Sequence, residues 1–286
     1  MSKEIKRITV LGAGTMGHGI AQVAAASGYQ TALFDLSEQA LDRGLAQVQA
    51  NLEKGVAKGK VSQEQMTAAL SLLDGHTELE LAVEDADLVI EAVPEVMELK
   101  KQLVEQLGVL APEHAILASN TSSLSLSEIA SAAARPAQVI GMHFFNPVHI
   151  LRLLEIVVAD QSSLATLEAV KGVGERMSRV LVVVKDSPGF ASSRLGLCLG
   201  LEAIRMVEQG VASAEDIDKA MVHGYKHPMG PLRLTDLVGL DVRLKIAEYL
   251  HSELGSESFR PPQLMREMVA AGQLGKKSGQ GFYTWQ

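Results

Sequence analysis

Short apolar runs alternate with longer amphipathic segments over roughly the first two thirds of the chain. The apolar runs end in turn residues or run into helical segments, which is typical of strands buried in an open sheet. The segments between them have helical periodicity, so the alternation predicts an α/β fold. The predicted strands occupy residues 7–11, 29–34, 70–73, 87–92, 115–118, 138–142 and 180–184.

The first predicted strand runs directly into a glycine-rich turn and then into an alanine-rich helix. Strand, G-x-G-x-x-G and helix in this order form the dinucleotide-binding fingerprint, in which the amino terminus of the helix receives the phosphates. Gly12 permits the tight turn, Gly14 lets the pyrophosphate approach the backbone, and Gly17 lets helix and strand pack closely. A chance glycine-rich turn is the alternative, and the flanking strand and helix disfavour it. The predicted cofactor contacts are Gly12, Ala13, Gly14, Thr15, Met16 and Gly17.

Asp35 ends the second predicted strand, where an acidic residue accepts hydrogen bonds from the ribose hydroxyls of the adenosine. A carboxylate at this position repels the 2′-phosphate of NADP. The following residues, Leu36 and Ser37, include no arginine that would bind such a phosphate. The sequence therefore predicts NAD as the cofactor.

The next connection is longer than one helix requires and predicts a helical arm at about residues 37–69. The arm divides into helices at 38–58 and 63–69, with Ser62 and Gln65 at the positions of a capping box. Its lysines form a short basic face that would bind the phosphates of a carrier, although most such runs are solvated surface. The polar residues that the arm presents are Asn51, Lys54, Lys58 and Lys60.

His143 follows the predicted strand 138–142, beside two aromatic residues that would shield it from bulk water. Glu155 lies within a later apolar run, and a buried carboxylate needs a partner, for which His143 is the nearest candidate. A structural histidine bonded to a carbonyl, with Glu155 on a solvated face, is the alternative. Ligands of open α/β sheets lie outside the carboxyl ends of the strands, so Glu95, Ser122 and His143 are expected to converge on one crevice.

Beyond residue 184 only helical patterns occur, at about residues 192–209, 214–222, 232–254 and 262–271. A turn-rich segment at 185–189 marks the junction, which predicts two domains, 1–186 and 187–286. An all-α domain beside a dinucleotide-binding domain most often covers the cofactor cleft or forms a dimer, and we expect a homodimer. The closing segment 275–283 is rich in glycine and lysine, which suits a loop near an anion or another backbone.

Composition narrows the class of protein further. The net charge is −8 with both signs interspersed, so general affinity for nucleic acid or an anionic membrane is not expected. The single cysteine, Cys198, lies among leucines, and neither an internal disulfide nor a zinc cluster is expected. No apolar signal region precedes the first strand, and no run of about 18 apolar residues suggests a membrane span. We therefore expect a cytoplasmic protein without a bound metal.

Five motifs occur in a fixed order along the chain, at residues 12–17, 119–123, 143–147 with Glu155, 186–190 and 275–283. Together they resemble the L-3-hydroxyacyl-CoA dehydrogenase family, and within it the bacterial 3-hydroxybutyryl-CoA dehydrogenases. The resemblance implies a Rossmann-type NAD-binding domain with a helical arm, followed by an all-α carboxyl-terminal domain. It also implies NAD-dependent interconversion of (S)-3-hydroxyacyl-CoA and 3-oxoacyl-CoA thioesters of short chain.

The resemblance assigns roles to individual residues. It implies that His143 is the catalytic base, that Glu155 orients it, and that Ser122 contacts both substrate and nicotinamide. The residues that it implies around NAD are Glu95, Lys100, Asn146 and Lys277, and those near coenzyme A are Asn51 and Lys58. Ser193 stands where the family usually has an asparagine near the substrate, and serine lacks the reach of the amide. His149 stands where proline is common, and a structural role is expected for it.

Oxidising a secondary alcohol needs a base within hydrogen-bond reach, and histidine, with a free pKa of about 6.5, can take the proton near neutrality. Three alternatives stay open: a non-catalytic NAD-binding or structural protein, an acyl-CoA carrier or regulatory module, and a dehydrogenase of a free hydroxy acid. The pair of His143 and Glu155 argues against the first, and the dinucleotide fingerprint against the second. The third needs an arginine for the carboxylate of the substrate, and Arg152 is the candidate near the active stretch.

Overall fold

A computed structural model describes residues 4–285 and, over that range, places eight strands in one sheet. The strands are β1 Arg7–Leu11, β2 Gln30–Phe34, β3 Leu73–His76, β4 Leu88–Glu91, β5 Ile116–Ser119, β6 Val139–Phe144, β7 Leu153–Val158 and β8 Val180–Lys185. Their order across the sheet is β3-β2-β1-β4-β5-β6-β7-β8. The first six run parallel, whereas β7 is antiparallel to β6 and parallel to β8. The strand order reverses beside β1, and ligands of such sheets bind at this point.

The chain divides into two compact units, with the boundary between Asp186 and Ser187. Apolar side chains of the first unit's strands and helices form a core in which Ile8, Val10, Ile20 and Ile90 are almost fully buried. The helices of this unit are α1 Gly17–Ala26, α2 Glu38–Ala57, α3 Gln63–Ser71, α4 Leu79–Val83, α5 Met97–Leu110, α6 Leu126–Ser131 and α7 Leu164–Arg176. The prediction of a Rossmann-type domain with a helical arm is therefore confirmed.

The arm consists of α2 and α3, and the predicted capping box at Ser62 is confirmed. The strand predicted at residues 70–73 is misplaced, because α3 continues to Ser71 and β3 begins at Leu73. Leu70 packs against the small core of the arm around Val48 and Leu52, so its apolar character serves the helices. β3 itself is a partly exposed edge strand with polar residues, which carry a weak strand signal.

The second unit is helical, with its own apolar core that includes Leu201, Ile204 and Leu232. Its helices are α8 Ser192–Glu208, α9 Ala214–Lys219, α10 Pro231–Val238, α11 Leu240–Leu254 and α12 Gln263–Ala270. The prediction of one helix over 232–254 is wrong, because Gly239 adopts a φ of +106° and separates α10 from α11. Within residues 4–285, none of the helices is long and apolar enough to cross a membrane.

Candidate active site

The glycine-rich turn joins β1 to α1 and leaves an open backbone surface. Gly12 has a φ of +97°, and a Cβ there would lie 2.8 Å from the carbonyl oxygen of Ala92. A Cβ on Gly17 would collide with the carbonyl oxygen of Gly12, so helix and turn pack too closely for a side chain. A Cβ on Gly14, by contrast, would point into open space, which leaves this backbone accessible to a ligand. The amino-terminal N–H groups of α1, which lack partners within the helix, are suited to bind an anion.

Asp35 directly follows β2, and its carboxylate accepts hydrogen bonds from the N–H groups of Ala13 at 2.9 Å and Ser37 at 3.0 Å. Each carboxylate oxygen has two lone pairs, so both oxygens retain an acceptor site for ribose hydroxyls. The neighbouring cleft has a volume of about 600 Å³, and its walls include Gly14, Phe34, Leu36, Val93, Pro94 and Leu99. An apolar slot beside an open glycine backbone and a carboxylate fits the adenosine and pyrophosphate portions of NAD.

Glu95 holds the loop between β5 and α6 that carries Ser122. Its Oε1 accepts hydrogen bonds from the Thr121 hydroxyl at 2.6 Å and the Ser122 N–H at 2.9 Å. The hydroxyl of Ser122 lies 3.3 Å from the same oxygen. Glu95 and Ser122, which were predicted to share one crevice, are therefore in direct contact.

Lys100 lies beneath this loop and is buried. Its Nζ lies 2.8 Å from both carboxylate oxygens of Glu91 and 3.3 Å from Oε2 of Glu95. Ser119 also donates a short hydrogen bond to Glu91, which lies at the end of β4. Lys100, which the resemblance places around NAD, is therefore enclosed by side chains of its own chain.

His143 and Glu155 face each other across the antiparallel pair β6 and β7. Nδ1 of His143 lies 2.9 Å from Oε2 of Glu155, and their side chains are only 8% and 1% exposed. The ring of Phe145 packs against the imidazole at a centroid distance of 4.3 Å. The sequence predicted both the pairing and the aromatic shielding, and the solvated alternative for Glu155 is wrong.

The loop of Ser122 and the strand of His143 are connected through Asn120. The Oδ1 of Asn120 accepts a hydrogen bond from the N–H of Phe144 at 2.9 Å, next to His143. Asn146 lies in the exposed turn that follows β6. The segments at the carboxyl ends of β4, β5 and β6 therefore carry a carboxylate, hydroxyl groups and a histidine.

In the arm, one of the two predicted substrate contacts already bonds to its own chain. The side-chain amide of Asn51 donates to Gln22 on α1 at 3.1 Å and accepts from Gln47 at 2.9 Å. Asn51 therefore tethers the arm to the rest of the domain. Lys54 is exposed in the last turn of α2, and Lys58 is exposed directly after the helix ends.

Two further predicted site residues belong to the second unit. Ser193 is partly buried in the first turn of α8. Nζ of Lys277 lies 2.5 Å from Oδ1 of Asp241 near the start of α11. The closing segment 275–283 was expected to approach an anion or another backbone. It lies beside the carboxylate of Asp236, which accepts hydrogen bonds from the N–H groups of Phe282 and Tyr283 at 2.9 Å.

Sequence reasoning missed Glu91 and Asn120 as components of the site. Glu91 was treated as part of a buried strand, although a carboxylate in an apolar run needs a partner just as Glu155 does. The lysine nine positions later in an amphipathic helix was the signal that could have identified this pair. Asn120 carried no such signal, because its role depends on the alignment of β5 with β6.

Comparisons with known proteins agree with this geometry over almost the whole chain. Residues 7–187 match the family model of the 3-hydroxyacyl-CoA dehydrogenase NAD binding domain. Residues 189–285 match the model of the carboxyl-terminal domain of 3-hydroxyacyl-CoA dehydrogenase.

Individual relatives are similar at full length. A probable 3-hydroxybutyryl-CoA dehydrogenase of Bacillus subtilis is 45% identical over 283 residues, which cover 99% of this chain and 98% of the relative. The mitochondrial hydroxyacyl-coenzyme A dehydrogenase of Sus scrofa is 40% identical, with coverage of 99% and 92%. The crystal structure of (S)-3-hydroxybutyryl-CoA dehydrogenase from Ralstonia eutropha superposes with a TM-score of 0.96 at 39% identity, covering 99% of this chain and 100% of that one. The chain belongs to the 3-hydroxyacyl-CoA dehydrogenase family, an NAD-binding family of oxidoreductases, as its motifs predict.

Proposed function

We propose that this chain interconverts (S)-3-hydroxyacyl-CoA and 3-oxoacyl-CoA thioesters with NAD. The observation that carries the proposal is the buried pair of His143 and Glu155 at the carboxyl end of β6, within an NAD-binding domain. The names of the bacterial relatives favour a short acyl chain, with 3-hydroxybutyryl-CoA and acetoacetyl-CoA as the reactants.

The reaction needs a base for the 3-hydroxyl group and an acceptor for the hydride, which NAD supplies when it is bound. His143 takes the hydroxyl proton through Nε2, because Nδ1 is engaged with Glu155. That hydrogen bond assigns the proton of the neutral ring to Nδ1 and so fixes the tautomer. Glu155 also stabilises the imidazolium that forms, in the manner of the acid of a catalytic triad. In the reverse direction the same nitrogen returns the proton.

We assign the turn at 12–17 to the pyrophosphate of NAD and Asp35 to the adenosine ribose. The open backbone at Gly14 and the remaining acceptor sites of Asp35 support this assignment. Ser122 is assigned to both substrate and nicotinamide, and Ser193 to the substrate. The family resemblance adds Glu95, Asn146 and Lys277 around the cofactor.

The phosphates of coenzyme A are assigned to the basic face of the arm, at Lys58 and its neighbours. In a chain of net charge −8, only a local concentration of positive charge can attract such an anion. Burial lowers the pKa of His149, and the nearby charges of His18 and Lys54 lower it further. Basic groups from α1, α2 and the turn after β6 thus lie near one another at this surface.

A free hydroxy acid is a poorer candidate substrate. Arg152, the arginine that would have to bind its carboxylate, donates through Nε to the carbonyl oxygen of Ser178 at 2.9 Å. This bond directs part of the guanidinium toward the segment before β8.

A homodimer through the second unit is part of the proposal. Apolar side chains exposed on α8, α10 and α11 are available for burial against a second copy and support it. They are Leu195, Leu234, Leu237, Val238 and Val242. A cytoplasmic location stays a prediction from the sequence.

A panel of reactants tests the proposed function. The purified protein is supplied with NADH and acetoacetyl-CoA, longer 3-oxoacyl-CoA thioesters and free 3-oxo acids, and NADH absorbance is followed. We expect rapid oxidation of NADH with acetoacetyl-CoA and little with acetoacetate. Preference for the free acid would overturn the proposal.

A further inference from the structure

Lys100 lies near the start of α5 with 1% of its side chain exposed. Its ammonium group contacts three carboxylate oxygens, two of Glu91 and one of Glu95. An ammonium has three protons, so these contacts use its whole donor capacity. Lys100 therefore has neither the exposure nor a spare donor for direct contact with a ligand.

Glu91 supplies the charge that allows Lys100 to be buried. A buried ammonium is stable only beside an opposite charge that also bonds to it, and Glu91 contacts it through both oxygens. Burial raises the pKa of Glu91, while the charge of Lys100 and the hydrogen bonds from Lys100, Ser119 and Val93 oppose that rise. The pair holds the ammonium at a fixed position beneath Glu95.

The surroundings of Glu95 favour its ionised form. Burial pushes its pKa upward, but the charge of Lys100 and hydrogen bonds from Thr121 and Ser122 bring it below the usual value for glutamate. An ionised carboxylate can only accept hydrogen bonds. In the contact between Oε1 and the Ser122 hydroxyl at 3.3 Å, Ser122 is therefore the donor, and the N–H and hydroxyl of Ser123 approach the same oxygen at 3.3 and 3.4 Å. A serine hydroxyl that gives its one proton to Glu95 has only acceptor capacity left for a ligand.

We propose that Glu91 and Lys100 are positioning residues that act through Glu95 to fix the Ser122 hydroxyl as an acceptor for an N–H or O–H group of the reactants. The inference rests on the proposed function, in which Ser122 contacts substrate and cofactor. The charged groups that face Glu95 come from β4 and α5, and the β5–α6 loop adds hydroxyl and N–H donors.

The first test needs neither cofactor nor activity. Glutamate carboxyl carbons are isotope-labelled and titrated by NMR, and the Glu95 signal is identified by its loss in Glu95→Gln. In Lys100→Met, which keeps the chain length without the charge, we expect the midpoint of Glu95 to rise by about one pH unit or more. An unchanged midpoint would overturn the proposal.

The second test measures reduction of acetoacetyl-CoA. Lys100→Met should lower kcat about tenfold or more, and the acidic limb of its rate–pH profile should move to higher pH because Glu95 protonates earlier. The matched control is Lys101→Met, which removes a lysine whose ion pairs with Glu98 and Glu128 lie at the surface. That variant should stay within about twofold of the parent. A loss in Lys100→Met that appears only as weaker NADH binding, with an unmoved acidic limb, would make Lys100 a cofactor contact and overturn the proposal.

A double variant separates positioning from folding. Lys100→Met alone leaves Glu91 buried without a counter-charge, whereas Glu91→Gln with Lys100→Met removes both charges. We expect the double variant to regain thermal stability over the single one but to keep the low kcat and the shifted limb. If the double variant regains the kcat and the rate–pH profile of the parent, Glu91 and Lys100 have only a structural role and the proposal is overturned. Lack of activity in the parent would instead contradict the proposed function, while the NMR titration would still decide on the ionisation of Glu95.

Discussion

At the residue scale, the site depends on two buried carboxylates that hold different partners. Glu155 bonds to a histidine, whereas Glu91 bonds to a lysine. A carboxylate beside histidine stabilises a charge that appears during the reaction, and one beside lysine stabilises a permanent charge. The first pair is therefore suited to proton transfer and the second to positioning.

Removing the base should abolish most of the activity. In His143→Ala we expect turnover to fall by about 100- to 10,000-fold, since this is what a positioned general base contributes. NADH affinity, measured by fluorescence titration, should change little, because the predicted cofactor contacts lie at other residues. Turnover within tenfold of the parent would exclude His143 as the base.

Glu155→Gln tests the residue that bonds to His143. Glutamine can still accept the bond from Nδ1 of His143, but it lacks the negative charge. We expect a smaller loss of turnover than in His143→Ala. In the oxidation of 3-hydroxybutyryl-CoA, where the neutral ring of His143 is the base, the acidic limb of the rate–pH profile should move to lower pH, because a protonated ring is less stable without a counter-charge. An unmoved limb would mean that Glu155 acts only through its geometry.

The proposed role of Asp35 is to select NAD over NADP. In Asp35→Asn with Leu36→Arg, the amide oxygen can still accept from Ala13, and the guanidinium can bind a 2′-phosphate. We expect the ratio of kcat/KM for NADP to that for NAD to rise about tenfold or more. Leu36→Arg alone is the control, because it retains the repelling carboxylate. Equal use of both cofactors by the parent would contradict the role of Asp35.

At the scale of elements, the sequence predicts segments well where one local signal dominates. The strand, glycine turn and helix at residues 7–26 and the capping box at Ser62 follow from such signals. β3 does not, because an edge strand is only partly buried and its residues are polar. The break at Gly239 was missed because a glycine within a helical pattern is often tolerated.

The proposed role of the arm in binding the phosphates of coenzyme A can be tested by a single mutation. Lys58 is exposed directly after the end of α2, so its pairing with a phosphate should contribute about 1 kcal/mol and weaken with salt. In Lys58→Ala the KM for acetoacetyl-CoA should rise about fivefold at low ionic strength. It should hardly change for a truncated thioester that lacks the nucleotide.

A partly exposed lysine of another helix provides the control for the arm. Lys171 on α7 pairs with Glu168 at the surface and lies outside the proposed site. Lys171→Ala should leave the KM of both thioesters unchanged. If Lys58→Ala changes both substrates equally, the arm supports the fold and does not bind the nucleotide of coenzyme A.

At the scale of the whole molecule, the family and most candidate residues could be predicted, but not the partners that the folded chain supplies. Asn51 bonds to Gln22, Lys100 to Glu91 and Lys277 to Asp241. Each of these contacts joins elements whose relative position depends on the packing of the unit. A motif identifies which residues matter, whereas only the fold shows whether they contact a ligand or another residue.

The proposed homodimer is a property of the whole molecule and can be tested by a mutation. Leu237 on α10 is 44% exposed among the apolar group of the second unit, so a charge there should oppose burial in an interface. We expect the parent to sediment as a dimer and Leu237→Glu to sediment as a monomer with unchanged helical circular dichroism. Leu164→Glu is the control, because Leu164 is 73% exposed on α7 of the other unit and should leave the dimer intact. A parent that is monomeric at all concentrations, or a Leu237→Glu variant that stays dimeric, would show that this face is not the interface.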